Sequence, residues 1–104
     1  MGWYCEEERD ARLKTSRAET DARISKEHVE HLEELHAELL KNGWHPDELQ
    51  DLRSDINKAK EAAWKDEQAA EKARHEEAAL QERIKKYEEL KKQWSEQKKN
   101  TNNL

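Results

Sequence analysis

Lys41-Asn42-Gly43-Trp44-His45-Pro46-Asp47-Glu48 is the stretch whose reading decides the fold. Asn42 or Gly43 can take the left-handed conformation that ends a helix, and Lys41 is well placed against the negative end of the dipole. Pro46 suits the first turn of a new helix, where its missing N–H is not needed. Asp47 and Glu48 then bring negative charge to the new positive terminus. A helix that stops and restarts within about five residues folds back on itself, so the flanking helices become antiparallel neighbours. Gly43, Trp44 and Pro46 are the structural turn residues, with Trp44 expected to close the hairpin end over Leu40 and Leu49.

Outward from this turn, 1–41 holds helix 1, running from about Glu6 to Lys41. Residues 42–45 form the turn, 46–98 form helix 2 from Pro46 to Lys98, and 99–104 form a tail expected to fray. The whole is one domain. At the α-helical rise the two helices would be about 54 and 79 Å long, so the second outruns the first. The expected fold class is all-α: a long antiparallel two-helix hairpin, coiled-coil-like, with a carboxy-terminal helical overhang.

Helix 2 carries a heptad pattern. Alternating steps of three and four pick out Leu49, Leu52, Ile56, Ala59, Ala63, Asp66, Ala70, Ala73, Glu77, Leu80, Ile84, Tyr87, Lys91 and Trp94. All but Asp66, Glu77 and Lys91 are apolar, which is the signature of a coiled-coil seam. Helix 1 repeats differently. Leu13, Ile24 and Leu35 are eleven residues apart, as are Ala18, Val29 and Leu40, a period that favours a straighter path than heptads do. Apolar residues are thin before Ile24, where the pairs Glu8–Arg12, Asp10–Lys14 and Glu19–Arg23 are expected to support the helix along its own length.

Composition agrees with a seam rather than a compact core. Of 104 residues, 43% are charged and 33% hydrophobic, and Phe is absent. Ten Leu, three Ile and one Val can fill a narrow interface but not a globule. The formal net charge of −5 is small because acids and bases are mixed, which together with the periodicity separates this chain from a disordered one. The lone Cys5 cannot form an intramolecular disulfide and fits a reducing compartment. With no apolar run long enough for a signal peptide or membrane span, a cytoplasmic protein is expected, with incorporation in a larger assembly also consistent. Met1-Gly2 resembles the start of a myristoylation signal, but Glu6 stands where Ser or Thr is required.

Catalytic machinery is not expected. His28, His31 and His36 cluster in helix 1, with Glu27 and Glu34 nearby, but His-Glu-x-x-His is absent and Glu27-His28-Val29-Glu30-His31 lacks the bundle-type Glu-x-x-His spacing. No catalytic, cofactor-binding or metal residues are therefore assigned. Cys5 is followed by Glu6, Glu7 and Glu8, not by the basic neighbours that activate a nucleophilic thiol. Residues 81–104 hold seven Lys or Arg against four Glu, a net of +3, with Tyr87 and Trp94 interleaved. Nucleic acid is disfavoured as the main partner, because those Glu dilute the patch and Lys near a helix carboxy terminus already answers the dipole.

Tryptophan is the more informative anomaly, since four occur in a chain without Phe and Trp is enriched at binding hot spots. Trp3 is expected to cap the far end of the hairpin. Trp64 follows the seam position Ala63 and should face outward. Counting back from the turn, residue 6 falls opposite about residue 81, so Leu80 and Ile84 can still touch Trp3, Tyr4 or Cys5. Tyr87, Leu90 and Trp94 lie beyond that reach. Trp64, Leu80, Ile84, Tyr87, Leu90 and Trp94 are the expected partner-binding residues. The expected function is a non-enzymatic protein–protein interaction module: an adaptor, assembly factor or inhibitor of a larger protein. A structural subunit packing with copies of itself, as in a viral or phage particle, is the alternative, and a weak nucleic-acid binder the third. Either of the first two would suit a small viral or mobile-element accessory protein.

Overall fold

The computed structural model describes residues 4–102, and side chains from 5 to 97. It is an antiparallel helical hairpin, 89 × 17 × 16 Å, in which helix α1 (Tyr4–Lys41) packs along helix α2 (Gln50–Asn102). A single 3₁₀ turn, Pro46–Leu49, precedes α2, so the second helix starts with a tighter turn than expected and runs four residues past Lys98. Trp3 lies outside the described residues.

The turn forms as its residue types dictate. Gly43 has φ 92°, and among the described residues no non-glycine residue has a positive φ. Trp44 N–H donates to Leu39 C=O at 3.0 Å and Gly43 N–H to Leu40 C=O at 3.1 Å, the paired bonds of a Schellman motif. His45 then caps the new helix. Its Nδ1 accepts from Asp47 N–H at 3.2 Å, while the Glu48 carboxylate accepts from His45 N–H at 3.3 Å. Orphan groups at both helix ends thus find partners between Leu39 and Glu48. Trp44 and Leu40 nonetheless remain exposed.

The seam on α2 is the one its heptads dictate: Leu49, Ile56, Ala59, Ala70, Ala73, Leu80 and Ile84 are buried. On α1 the structure departs from the eleven-residue reading. Leu13, Ile24, Leu35 and Leu40 are all exposed. The inward residues are instead Ala11, Thr15, Ala18, Ala22, Ser25, Val29, Leu32, His36 and Leu39, which advance in steps of three and four. Two helices in one coiled coil must share one period, and α2 imposes 3.5 residues per turn. The Ala positions of α2 also leave room only for small partners. Thr15 and Ser25 fit there where the larger Leu13 and Ile24 would not.

One hydrogen bond sets the register. Thr15 Oγ1 lies 2.9 Å from Ala11 C=O and 3.2 Å from Ala73 C=O across the interface, and its proton can serve either. With Thr15 against Ala73, Ala18 meets Ala70, Leu32 meets Ile56, Leu39 meets Leu49, and Tyr4 falls level with Ile84. Ser25 Oγ donates to the Asp66 carboxylate, so this polar seam residue of α2 has a partner on α1. Flanking charges cross the seam as well: Lys14–Glu76 at 3.0 Å, Lys60–Glu33 at 3.1 Å and Arg74–Glu19 at 3.3 Å. Lys14 and Glu19 thus reach the opposite helix rather than Asp10 and Arg23 on their own. The cause is the small seam, which brings positions beside it within reach of one another.

Candidate partner-binding end of helix α2

The first described residue of α1, Tyr4, falls level with Ile84, so residues 85–102 of α2 lie beyond the described part of α1. Leu80 and Ile84, expected at a partner surface, are buried inside the hairpin and belong to its seam. The apolar positions that follow are more exposed. Tyr87 is 46% exposed, Leu90 51% and Trp94 61%. Tyr87 and Trp94 are seam positions one heptad apart, with Lys91 between them and Leu90 on the flank, so the three apolar residues share a face of one helix. An open groove lies at the root of the projection, lined by Asp10, Ala11, Lys14, Leu80, Ile84 and Tyr87. A second shallow one borders Leu90, Lys91 and Trp94.

The other exposed apolar side chains do not make a comparable patch. Trp64 faces outward as expected, 63% exposed, one residue past the seam position Ala63. Leu13, Ile24 and Leu35 are three turns apart, about 16 Å between neighbours along the axis. They also drift around α1 as the heptad seam winds away from them. Single exposed apolar residues are ordinary on protein surfaces, whereas adjacent ones on a single face mark contact sites.

Groups with chemical potential are dispersed. His28 and His31 are exposed, while His36 turns into the seam opposite Leu52, and its Nε2 is buried with no hydrogen-bond partner among the described residues. Among the described residues no three His, Cys, Asp or Glu side chains are grouped to hold a metal ion. Cys5 is exposed and unpaired. Two groups respond clearly to their neighbours. A hydrogen bond from Lys14, and then its charge, lower the Glu76 carboxyl below its ordinary value. Glu67 and then Glu19 hold the Arg74 guanidinium more firmly protonated. Both sites are structural pairs along the seam edge. No helix among the described residues is long and apolar enough to cross a membrane.

Comparison with protein-family models, curated proteins and solved structures found no match. The geometry of α2 therefore has to carry the functional reading by itself. Sequence periodicity located Tyr87, Leu90 and Trp94. It did not separate them from Leu80 and Ile84, because the register that places Tyr4 beside Ile84 depends on which face of α1 turns inward.

Proposed function

We propose that this chain is a non-enzymatic helical interaction module that offers the projecting end of α2 to another protein chain. The single observation that carries this reading is the continuation of the heptad seam past the hairpin, with Tyr87, Leu90 and Trp94 exposed on one face. A seam ordinarily exists to be covered by a second helix, and two aromatics one heptad apart on it are the residue types that dominate binding energetics. The hairpin supplies a rigid stem for that face, since α2 continues without a break from the covered region into the projection. Cys5, His28 and His31 stand in solvent, with Cys5 more than twenty residues from either histidine along α1, which supports the non-enzymatic part of the reading.

The test is affinity capture from the native cell with the parent chain and with a Tyr87→Ala, Trp94→Ala double variant. The expected result is a specific protein partner held by the parent and lost by the variant. Equal capture by both would overturn the reading.

A further inference from the structure

We propose that one flank of the hairpin's middle receives an acidic amphipathic helix of a partner protein, a contact separate from the projecting end of α2 and independent of it. Lys58, Lys65 and Lys72 of α2 build this surface, with Ala62 and Ala69 between them and with Arg17 and Ile24 of α1 alongside, all exposed. The ion pairs identify the flank. Lys14–Glu76 crosses the seam on this side, whereas Lys60–Glu33 and Arg74–Glu19 cross it on the other. Ala69 and Ala62 precede Glu76 by one and two heptads, and Lys72 lies close enough to Glu76 for its charge to act there. Lys65 and Lys58 precede Lys72 at the same interval, so the three lysines fall in line about 10.5 Å apart. On α1, Arg17 borders the same groove as Lys14, and Ile24 lies one heptad further on. The Thr15–Ala73 register sets Arg17 beside Lys72 and Ile24 between the levels of Ala62 and Lys65.

The two flanks differ in how their charges are met. On the other one, Glu19 and Glu67 both hold Arg74, and Glu33 holds Lys60. Here Arg17 and the three lysines share the middle of the flank with one carboxylate, Asp21, apart from Glu27 and Glu61 on its outer edges. Among the described residues no ion pair carries any of these four cations across the seam. Lys65 reaches Glu61 on its own helix at 3.4 Å, in solvent. The chain as a whole has a net charge of −5, so this cationic strip is a local arrangement and not a general excess. Its spacing selects a helix as the occupant. Cations one heptad apart meet carboxylates one heptad apart on a second helix, layer after layer. Alanine at 62 and 69 lets a backbone approach closely, and Ile24 offers an apolar contact beside them. Nucleic acid fits less well, because charges about 3.4 Å apart along each strand would outnumber lysines about 10.5 Å apart. Trp64, the aromatic at this level, lies one turn beyond Lys60 on the opposite flank, where it can stack on no base held here.

Calorimetric titration and amide NMR with a synthetic acidic helix test this. The probe carries alanine and leucine on one face with glutamate at heptad intervals beside them, and is about 28 residues long so that it is helical alone. The expected result is saturable binding with amide shifts confined to 17–31 and 58–72. A Lys58→Gln, Lys65→Gln, Lys72→Gln triple variant should keep the parent's helicity and bind the probe about tenfold more weakly. An Arg12→Gln, Arg23→Gln, Lys26→Gln triple variant makes the same change of net charge on the other flank and should bind as the parent does. Equal losses in the two variants would reduce the effect to net charge and overturn the proposal. No binding at about 1 mM probe would do the same. Tighter binding of a DNA duplex of about 20 base pairs, lost in the lysine variant, would assign the flank to nucleic acid and overturn the helix. A parent that associates without the probe in light scattering, when the lysine variant does not, would assign it to a second copy and equally overturn it.

Discussion

At the scale of single residues, two side chains show how local chemistry and packing compete. Gly43 holds φ 92°, and a Cβ built there would meet nothing within 4 Å. The penalty for replacing it is therefore backbone strain alone, since there is no neighbour to clash with. Gly43→Val should cost about 1–2 kcal/mol, read as a lower midpoint in urea or thermal melts. An unchanged midpoint would show that the chain can leave α1 by another route. His36 presents the opposite case, a polar ring at a seam position facing Leu52 with its Nε2 buried and unpaired. An unsatisfied buried polar atom costs about 1–3 kcal/mol, so His36→Leu should stabilise the hairpin, by about 1 kcal/mol after repacking. A lower melting temperature for that variant would mean the imidazole contributes an interaction that the seam needs.

At the scale of elements, the seam decides which apolar residues matter. Ile56 is 7% exposed and faces Leu32, whereas Leu35 remains 44% exposed on the flank of α1. Ile56→Asp should abolish cooperative unfolding, because a carboxylate would enter an apolar layer with no cation to meet it. Leu35→Asp should cost less than about 1 kcal/mol, although Leu35 lies in the densest apolar stretch of the helix sequence. Circular dichroism melts of the two variants compare them directly, and equal losses would contradict the inward face assigned to α1. The cross-seam pairs make a separate prediction for acid. Lys14 lowers the folded-state pKa of Glu76 below its ordinary 4.5, so folding favours the ionised carboxylate. Its contribution is full above that ordinary value and is lost as pH falls through the lowered one. Glu76→Gln should therefore flatten the decline in melting temperature below about pH 4.5, an effect kept small by exposure to solvent. Parallel declines for parent and variant would assign the acid sensitivity to other carboxylates.

At the scale of the whole molecule, the hairpin and its projection should be energetically separable. Among the described residues, 85–102 contribute no layer to the α1–α2 seam, whose last described layer sets Ile84 level with Tyr4. Tyr87→Ala with Trp94→Ala should shift hairpin stability by less than about 0.5 kcal/mol when measured at low micromolar concentration. At higher concentration the parent alone should gain stability by mass action if its projection is covered by another chain. A large loss for the variant at low concentration would show that these aromatics fold back onto the stem.

Local sequence determined where this chain turns and that both halves are helical. Glycine and proline act through their own backbone restrictions, and helix formers act one residue at a time, so neither needs a distant partner to be read. The seam of α2 was legible for a related reason: its large residues repeat with one period, and burial followed them as far as Ile84. Which face of α1 turns inward was decided only by the tertiary structure. The Leu13, Ile24, Leu35 series is the louder pattern in that helix, yet Ala11, Thr15, Ala18, Ala22 and Ser25 hold the seam. The signal for them lies in the other half of the chain, in the alanines at 59, 63, 70 and 73 that admit only small partners. Size matching across an interface belongs to two helices at once. It fixed the inward face, the register, and with them the point where α2 leaves the hairpin and its aromatic face stands in solvent.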